Sequence, residues 1–359
     1  MVLRFGSLFG CVLIVVAAMN FAPQPIRAGE PVTLDNVVDP GANKADEPIA
    51  KKFSIEQAVH FLDSASLNWQ KKRKCFTCHT NYAYLYARPT IAINQQAHQE
   101  VRKFAEKLVT ERWPEKGLRW DAEAVATAAA LAFNDEATTG QLHPVTKTAL
   151  GKMWSVQRDD GGWTWIDCDW PPFEDDDHYG VTLAAIAVGV APGDYKNSEE
   201  ARKGVGGIRK YLKKNPPPEL HNEAMLLWAS SYLDGLLDKK EKQSVVDKLL
   251  SLQKPDGGWA AATLGGWKRG DDKKQDMKTS DGYGTGFTIF VLRRAGVPAL
   301  DPNIRKGIDW LKTHQRESGR WYSRSLYKDS HHFLSHAGSA FAVMALAACD
   351  EIKVAKTDK

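Results

Sequence analysis

Apolar residues recur at helical spacing along nearly all of the stretch from Ser54 to Cys349, in segments of two kinds. In the first kind, such as Val145 to Val156, Glu241 to Leu252 and Ile304 to His314, an apolar stripe is backed by a charged face, as on a helix with one side in water. In the second, such as Ala122 to Leu131 and Thr182 to Val190, small and apolar residues run almost all round, as on a helix buried on every side. The two kinds alternate: Ser54–Asn68 with Tyr82–Ile93, His98–Thr110 with Ala122–Phe133, Pro144–Val156 with Tyr179–Val190, Glu199–Lys213 with Asn222–Leu233, Lys240–Leu252 with Thr285–Arg294, and Pro302–His314 with Ala337–Ala348. This predicts an all-α fold, an α/α toroid of six helical hairpins with outer and inner helices alternating. Almost no period-two alternation competes with it.

A repeated phrase punctuates the pairs. Gln157 to Trp163 reads QRDDGGW, Gln253 to Trp259 reads QKPDGGW, and Gln315 to Trp321, QRESGRW, is a degraded third copy. Each follows a charged-face helix, where the glycines supply turn conformations that stop it and the Gln and Trp are placed to bind and pack across to the next repeat. These phrases and the six-hairpin layout resemble the repeats of squalene–hopene cyclases and of protein prenyltransferase β-subunits, over roughly Ser54 to Cys349. The resemblance implies a toroid whose inner helices surround a central, often apolar cavity open at one rim. It implies less about activity, because one fold hosts many functions.

Around that domain, 54–350, the chain has three further parts. Residues 1–28 read as an export signal, with Arg4 as the positive start, Leu8 to Met19 as the apolar run and Ile26-Arg27-Ala28 before the cut. The run is too short for a transmembrane anchor, so a periplasmic or secreted product is expected. Residues 29–53, rich in Pro, Gly and Asp, read as a flexible leader, and 351–359 as a charged tail. Lys and Arg number 48 against 44 Asp and Glu, a balance of +4 that makes no electrostatic case for nucleic acid. Cys75, Cys78, Cys168 and Cys349 would remain after processing, too few for a disulfide scaffold.

Cys75-Phe76-Thr77-Cys78-His79 is a C-x-x-C-H motif. Two thiols at this spacing can add across the vinyl groups of one haem while the adjacent imidazole takes an axial iron position. C-x-x-C also occurs in zinc sites and redox dithiols, but zinc usually requires a second ligand pair and none is present, so no zinc is expected. One covalent haem c is therefore expected, anchored by Cys75 and Cys78 with His79 proximal. Parallel inner helices would put their starts on one rim, where Glu174 to His178, His221, Asp281 and His336 join the motif. Histidine at a helix start opposes the helix dipole, which makes His178, His221 and His336 candidate metal ligands, and acidic residues there serve as ordinary caps.

The family resemblance supplies two further tests. Class II cyclases protonate an alkene with an Asp of a D-x-D-D motif kept neutral by its surroundings; Glu174-Asp175-Asp176-Asp177 is similar but starts with Glu, and makes Asp176 or Asp177 the candidate acid. Protein prenyltransferases hold zinc with Asp, Cys and His, and here Asp281 and His336 stand in place while Tyr283 replaces the Cys, which removes a ligand. Three readings result. The leading one is a haem-bearing toroid for electron transfer or haem-dependent oxidoreductase chemistry beside an apolar cavity, with a redox protein as partner. The second is a haem-free class II terpenoid cyclase or isomerase-like enzyme acting on an isoprenoid or other apolar small molecule. The third is a non-catalytic toroid that binds lipid or protein.

Overall fold

The computed structural model describes residues 30–93, 95–331 and 333–353. The expected export signal and the end of the charged tail, 354–359, lie outside the described residues. The helices are α1 (Ile55–Arg73), α2 (Ala83–Ala87), α3 (Gln96–Lys107), α4 (Trp113–Lys116), α5 (Asp121–Thr138), α6 (Pro144–Ser155), α7 (Asp177–Val190), α8 (Glu199–Lys214), α9 (Leu220–Ala229), α10 (Lys239–Ser251), α11 (Gly282–Arg294), α12 (Pro302–Thr313) and α13 (Leu334–Ala348). A π-helical turn, Cys78–Tyr82, leads into α2, and another, Leu108–Arg112, joins α3 to α4. Among the described residues there is no strand beyond isolated bridges.

Short polar side chains start these helices by accepting from backbone N–H groups that the first turn leaves unpaired: Ser54 before α1, Asp176 before α7, Ser198 before α8 and Asp281 before α11. Asp238 and Glu241 form a reciprocal capping box at α10. Packing then follows the two hydrophobic patterns. α5 contacts α2 and α7, α9 contacts α7 and α11, and α13 contacts α11 and returns to α2, so the inner helices close a ring. The outer helices α1, α3, α6, α8, α10 and α12 pack against its outside. The fold is an α/α toroid.

The repeated phrases act as clasps between outer helices. Gln157 Nε2 donates to Gly161 O and to Gly204 O of α8, both at 3.0 Å; Gln253 Nε2 donates to Gly257 O (2.8 Å) and to Asn303 O of α12 (2.7 Å). Gln315 does the same with Gly319 O (3.1 Å) and Ser54 O (2.9 Å), while its Oε1 accepts from Ser54 N (2.8 Å). The degraded third copy therefore joins the last hairpin to the first. Each Trp is buried and its indole N–H binds back to the preceding outer helix, Trp163 to Met153 O, Trp259 to Leu249 O and Trp321 to Leu311 O, at 2.7–2.9 Å.

Two expectations change. The leader is not a free tether over its described part: Arg320 is buried and donates to the carbonyls of Pro40, Gly41 and Ala42, Glu47 pairs with it at 3.2 Å, and Ala50 N bonds Gln315 O at 2.8 Å. Its partners are mostly backbone carbonyls, which composition does not reveal. The bore of the ring is also filled rather than open, with rings from facing inner helices in mutual contact: Phe133 with Trp228 (5.8 Å), Trp228 with Phe290 (5.0 Å), Phe287 with Phe341 (5.3 Å) and His221 with Phe287 (4.6 Å). Such offset and edge-on pairs add to the area they bury.

Candidate functional site

The starts of the inner helices meet at one rim and are stitched side chain to side chain. Burial, with the Glu174 carboxylate nearby, pushes the Cys78 thiol well above its usual range. Asn222 Nδ2 donates to both Asp176 oxygens at 3.1 Å, and the neighbouring His221 Nε2 lies 2.7 Å from the Tyr283 hydroxyl. Tyr283 N donates to Ser323 Oγ (2.8 Å), Ser323 N to Ser335 Oγ (2.7 Å), and His336 Nδ1 is 3.0 Å from Thr80 Oγ1, itself 2.8 Å from His79 Nδ1. The Cys motif, the acidic run, His221, Asp281 and His336 thus share one mouth.

Beneath it lie aromatic faces. Phe173 packs edge-on against Tyr179 (5.7 Å) and Tyr283 (5.4 Å), and His221 stacks between Tyr179 (6.1 Å) and Phe287 (4.6 Å). Two neighbouring carboxylates differ sharply in this setting. Asp177 is tied to Arg158 of the first clasp at 2.7 Å and accepts from Trp165 N at 2.9 Å, which makes it a strut between clasp and helix. Asp176 caps α7 by accepting from Tyr179 N at 2.9 Å, and burial pushes its carboxyl above the usual range against the pull of that bond and of Asn222. Burial also raises Glu174, and lifts Asp281, which accepts from Tyr283 N, Gly284 N and Ala261 N, to about 6.

The haem expectation does not survive this geometry. Cys78 is buried. His79 is buried, stacked on Phe333 (4.8 Å between centroids, planes 12° apart) and met edge-on by Trp69 (5.4 Å), and its Nδ1 is shared with Thr80. The cavity beside it, between His79, Trp170, Phe173 and His331, measures about 30 Å³. A pocket for even a drug-sized molecule is roughly 300 Å³ or more, so a porphyrin has no room against this imidazole. The residues do not fit a haem c, and the haem-based oxidoreductase reading and its redox partner lose their basis. Among the described residues no three His, Cys, Asp or Glu side chains converge as a metal site. His79 and His336 meet through Thr80 instead.

His178 is buried at the start of α7 with both ring nitrogens lacking a hydrogen-bond partner, and burial lowers it to about 4. His221, lowered by burial to about 3, is likewise neutral, and its Nδ1 is unpartnered. Sequence reasoning missed Asn222 as the residue that orients Asp176; its place in the first turn of α9, at a helix start like the acid's own, was the available signal.

No protein-family model matches the chain, and no curated protein matches it in sequence. Solved structures do. The ent-copalyl diphosphate synthase from Streptomyces platensis is 16% identical, with a TM-score of 0.49 over 75% of this chain and 50% of that one, so this chain spans about half its length. A protein from Actinoplanes is 12% identical (TM-score 0.47; 75% of this chain, 90% of that one), and the type II terpene cyclase MstE from Scytonema is 12% identical (TM-score 0.46; 82% and 99%). At these identities the likeness concerns the course of the helices and reaches no individual residue.

Proposed function

We propose that the chain is a class II terpenoid cyclase or isomerase-like enzyme, with Asp176 as the general acid that protonates an alkene of an isoprenoid substrate. The observation that carries this reading is the environment of Asp176. Its carboxyl is biased toward the protonated form by burial, oriented by Asn222, and placed at the mouth of a bore walled by Tyr179, Tyr283 and Phe287. A carboxylic acid kept neutral can deliver a proton, and the electron-rich faces of aromatic rings stabilise the cation that forms. Asp177, held by Arg158, serves as a positioning residue. Because the rings now fill the bore, a substrate enters only as they part.

The test is incubation of the purified chain with linear isoprenoids in D2O. Products of unchanged skeleton mass carrying one deuterium are expected, with Asp176→Asn lowering turnover at least a hundredfold and Asn222→Ala about tenfold, in the range of general acid catalysis. Turnover that survives Asp176→Asn, or no turnover of any isoprenoid, overturns the reading. A second reading, a binding toroid without catalysis, is favoured by the position of open volume: a groove of about 920 Å³ lies outside the ring, between α8, α9 and α10, floored by Leu212, Leu226 and Val245.

A further inference from the structure

We propose that the groove between α8 and α10 is a binding site for a single-chain amphiphile with an anionic head, of which a fatty acid carboxylate is the simplest member. The groove lies where a clasp is missing. After α6, α10 and α12 a glutamine reaches across to the backbone of the next outer helix or its cap. After α8 the chain reads Asn215-Pro216-Pro217-Pro218 instead, and Asn215 Nδ2 donates back to Tyr211 O of its own helix at 2.9 Å. Prolines hold the backbone extended and lack the N–H groups of a tight turn, so no such phrase ties α8 to α10. The space between them measures about 920 Å³, within the roughly 300–1,000 Å³ of small-molecule sites.

The lining combines two chemistries. Leu226 and Val245 are buried at the floor and Leu212, Leu236 and Leu237 are half-buried around them, so a hydrocarbon chain laid there takes apolar surface out of water on both sides of the contact. Cations line the same groove, Arg209 and Lys213 from α8, Lys240 and Lys248 from α10. Its two carboxylates are already engaged. Glu223 accepts from Lys248 Nζ at 2.7 Å, and Glu241 accepts from Asp238 N at 2.7 Å in the capping box of α10. Arg209 is exposed and steered by Asp234 O at 2.7 Å, a carbonyl that does not neutralise it, and Lys213 and Lys240 are exposed.

Positive charge at the lip and hydrocarbon at the floor are the complement of a molecule that carries negative charge at one end and a chain behind it. The chain supplies most of the affinity, while the head selects for anions and fixes which end meets the lysines. The inference takes its place in the molecule from the binding reading above and names the ligand class. It does not require that catalysis at Asp176 be absent.

Binding is read without turnover, so this inference and the general-acid reading fail separately; turnover of an isoprenoid would end the non-catalytic reading and leave this site standing. The full chain is titrated by calorimetry with laurate below its micelle concentration, beside its uncharged glycerol ester. One laurate per chain is expected, bound about tenfold or more tightly than the ester at low salt, with the difference shrinking as salt rises. Lys213→Gln combined with Lys240→Gln, both at exposed positions, should weaken laurate about tenfold and leave the ester unchanged. Leu236→Asp should weaken both ligands, with a circular dichroism melt to show that the fold is kept; if it is not, the lysine pair still decides. The proposal is overturned if laurate does not bind stoichiometrically, if the ester binds as tightly, or if the lysine pair has no effect, which would put the ligand elsewhere. Without laurate binding, cosedimentation with phosphatidylglycerol vesicles would make the groove a membrane contact, and a dimer lost in the same variants would make it a self-interface; either overturns it too.

Discussion

At the scale of single residues, adjacent positions with the same chemistry are separated by what lies across from them. Asp176 and Asp177 differ by one place in sequence, yet one faces Asn222 and the other Arg158. His178 shows the cost side of the same effect. Its folded pKa of about 4 lies below the usual 6.5, so between those values the unfolded chain takes up a proton that the folded chain refuses, and stability falls as pH falls through that window. Both ring nitrogens lack partners, so His178→Leu sacrifices no hydrogen bond. It is expected to leave stability at pH 7 equal or higher and to relieve about 2 kcal/mol of destabilisation at pH 5, read as a smaller drop in urea midpoint between the two pH values. Asp281 works in the opposite sense: its carboxyl, raised to about 6, takes up its proton in the folded state as pH falls below that value, whereas the unfolded chain does so only near the ordinary 3.8, so its contribution grows as pH falls through that window.

At the scale of elements, the clasp is the unit that repeats. Gly161 sits at φ +94°, and a Cβ there would come 1.9 Å from Gly207 O on the neighbouring outer helix. Gly161→Ala is therefore expected to cost about 3 kcal/mol or more, combining a left-handed backbone with a backbone clash. Gly140 has φ +64° but nothing within 4 Å, and Gly140→Ala should cost only about 1 kcal/mol, both read from thermal midpoints. The helices and their pairing were legible in the sequence because burial pattern and clasp residues are local: α7 and α13 begin and end close to where the apolar runs do, while α5 runs on past its apolar run to Thr138. The haem was misread for the converse reason. C-x-x-C-H is a local string, while the rings that crowd His79 come from Trp69, Trp170 and Phe333, the last some 250 positions away, on the order of the whole toroid. The π-helical turn at Cys78–Tyr82 likewise left no periodic trace.

At the scale of the whole molecule, the third clasp and the laced N-terminal stretch hold the ring shut. Gln315 binds both backbone groups of Ser54, so Gln315→Ala leaves a seam with unmet donors and acceptors and is expected to cost about 2 kcal/mol, with limited proteolysis opening first near residue 54. Removing residues 30–49 takes away three carbonyls and the Glu47 carboxylate from the buried Arg320, and about 3 kcal/mol of stability should go with an orphaned charge, measured by denaturant titration.

That seam also decides when the molecule can exist at all. Helices α1 and α13 come from opposite ends of the folded region, and α2 lacks one of its two inner neighbours until α13 arrives. A chain emerging from the ribosome, or threading through a translocation pore, therefore carries an open arc with apolar inner helices exposed for most of its passage, and such intermediates aggregate. Helper proteins that shield nascent chains matter most for an arc of this kind. A permuted chain whose new ends fall in the turn after α9 keeps the same ring and the same wait, but moves the last seam to be closed away from Gln315 and Ser54.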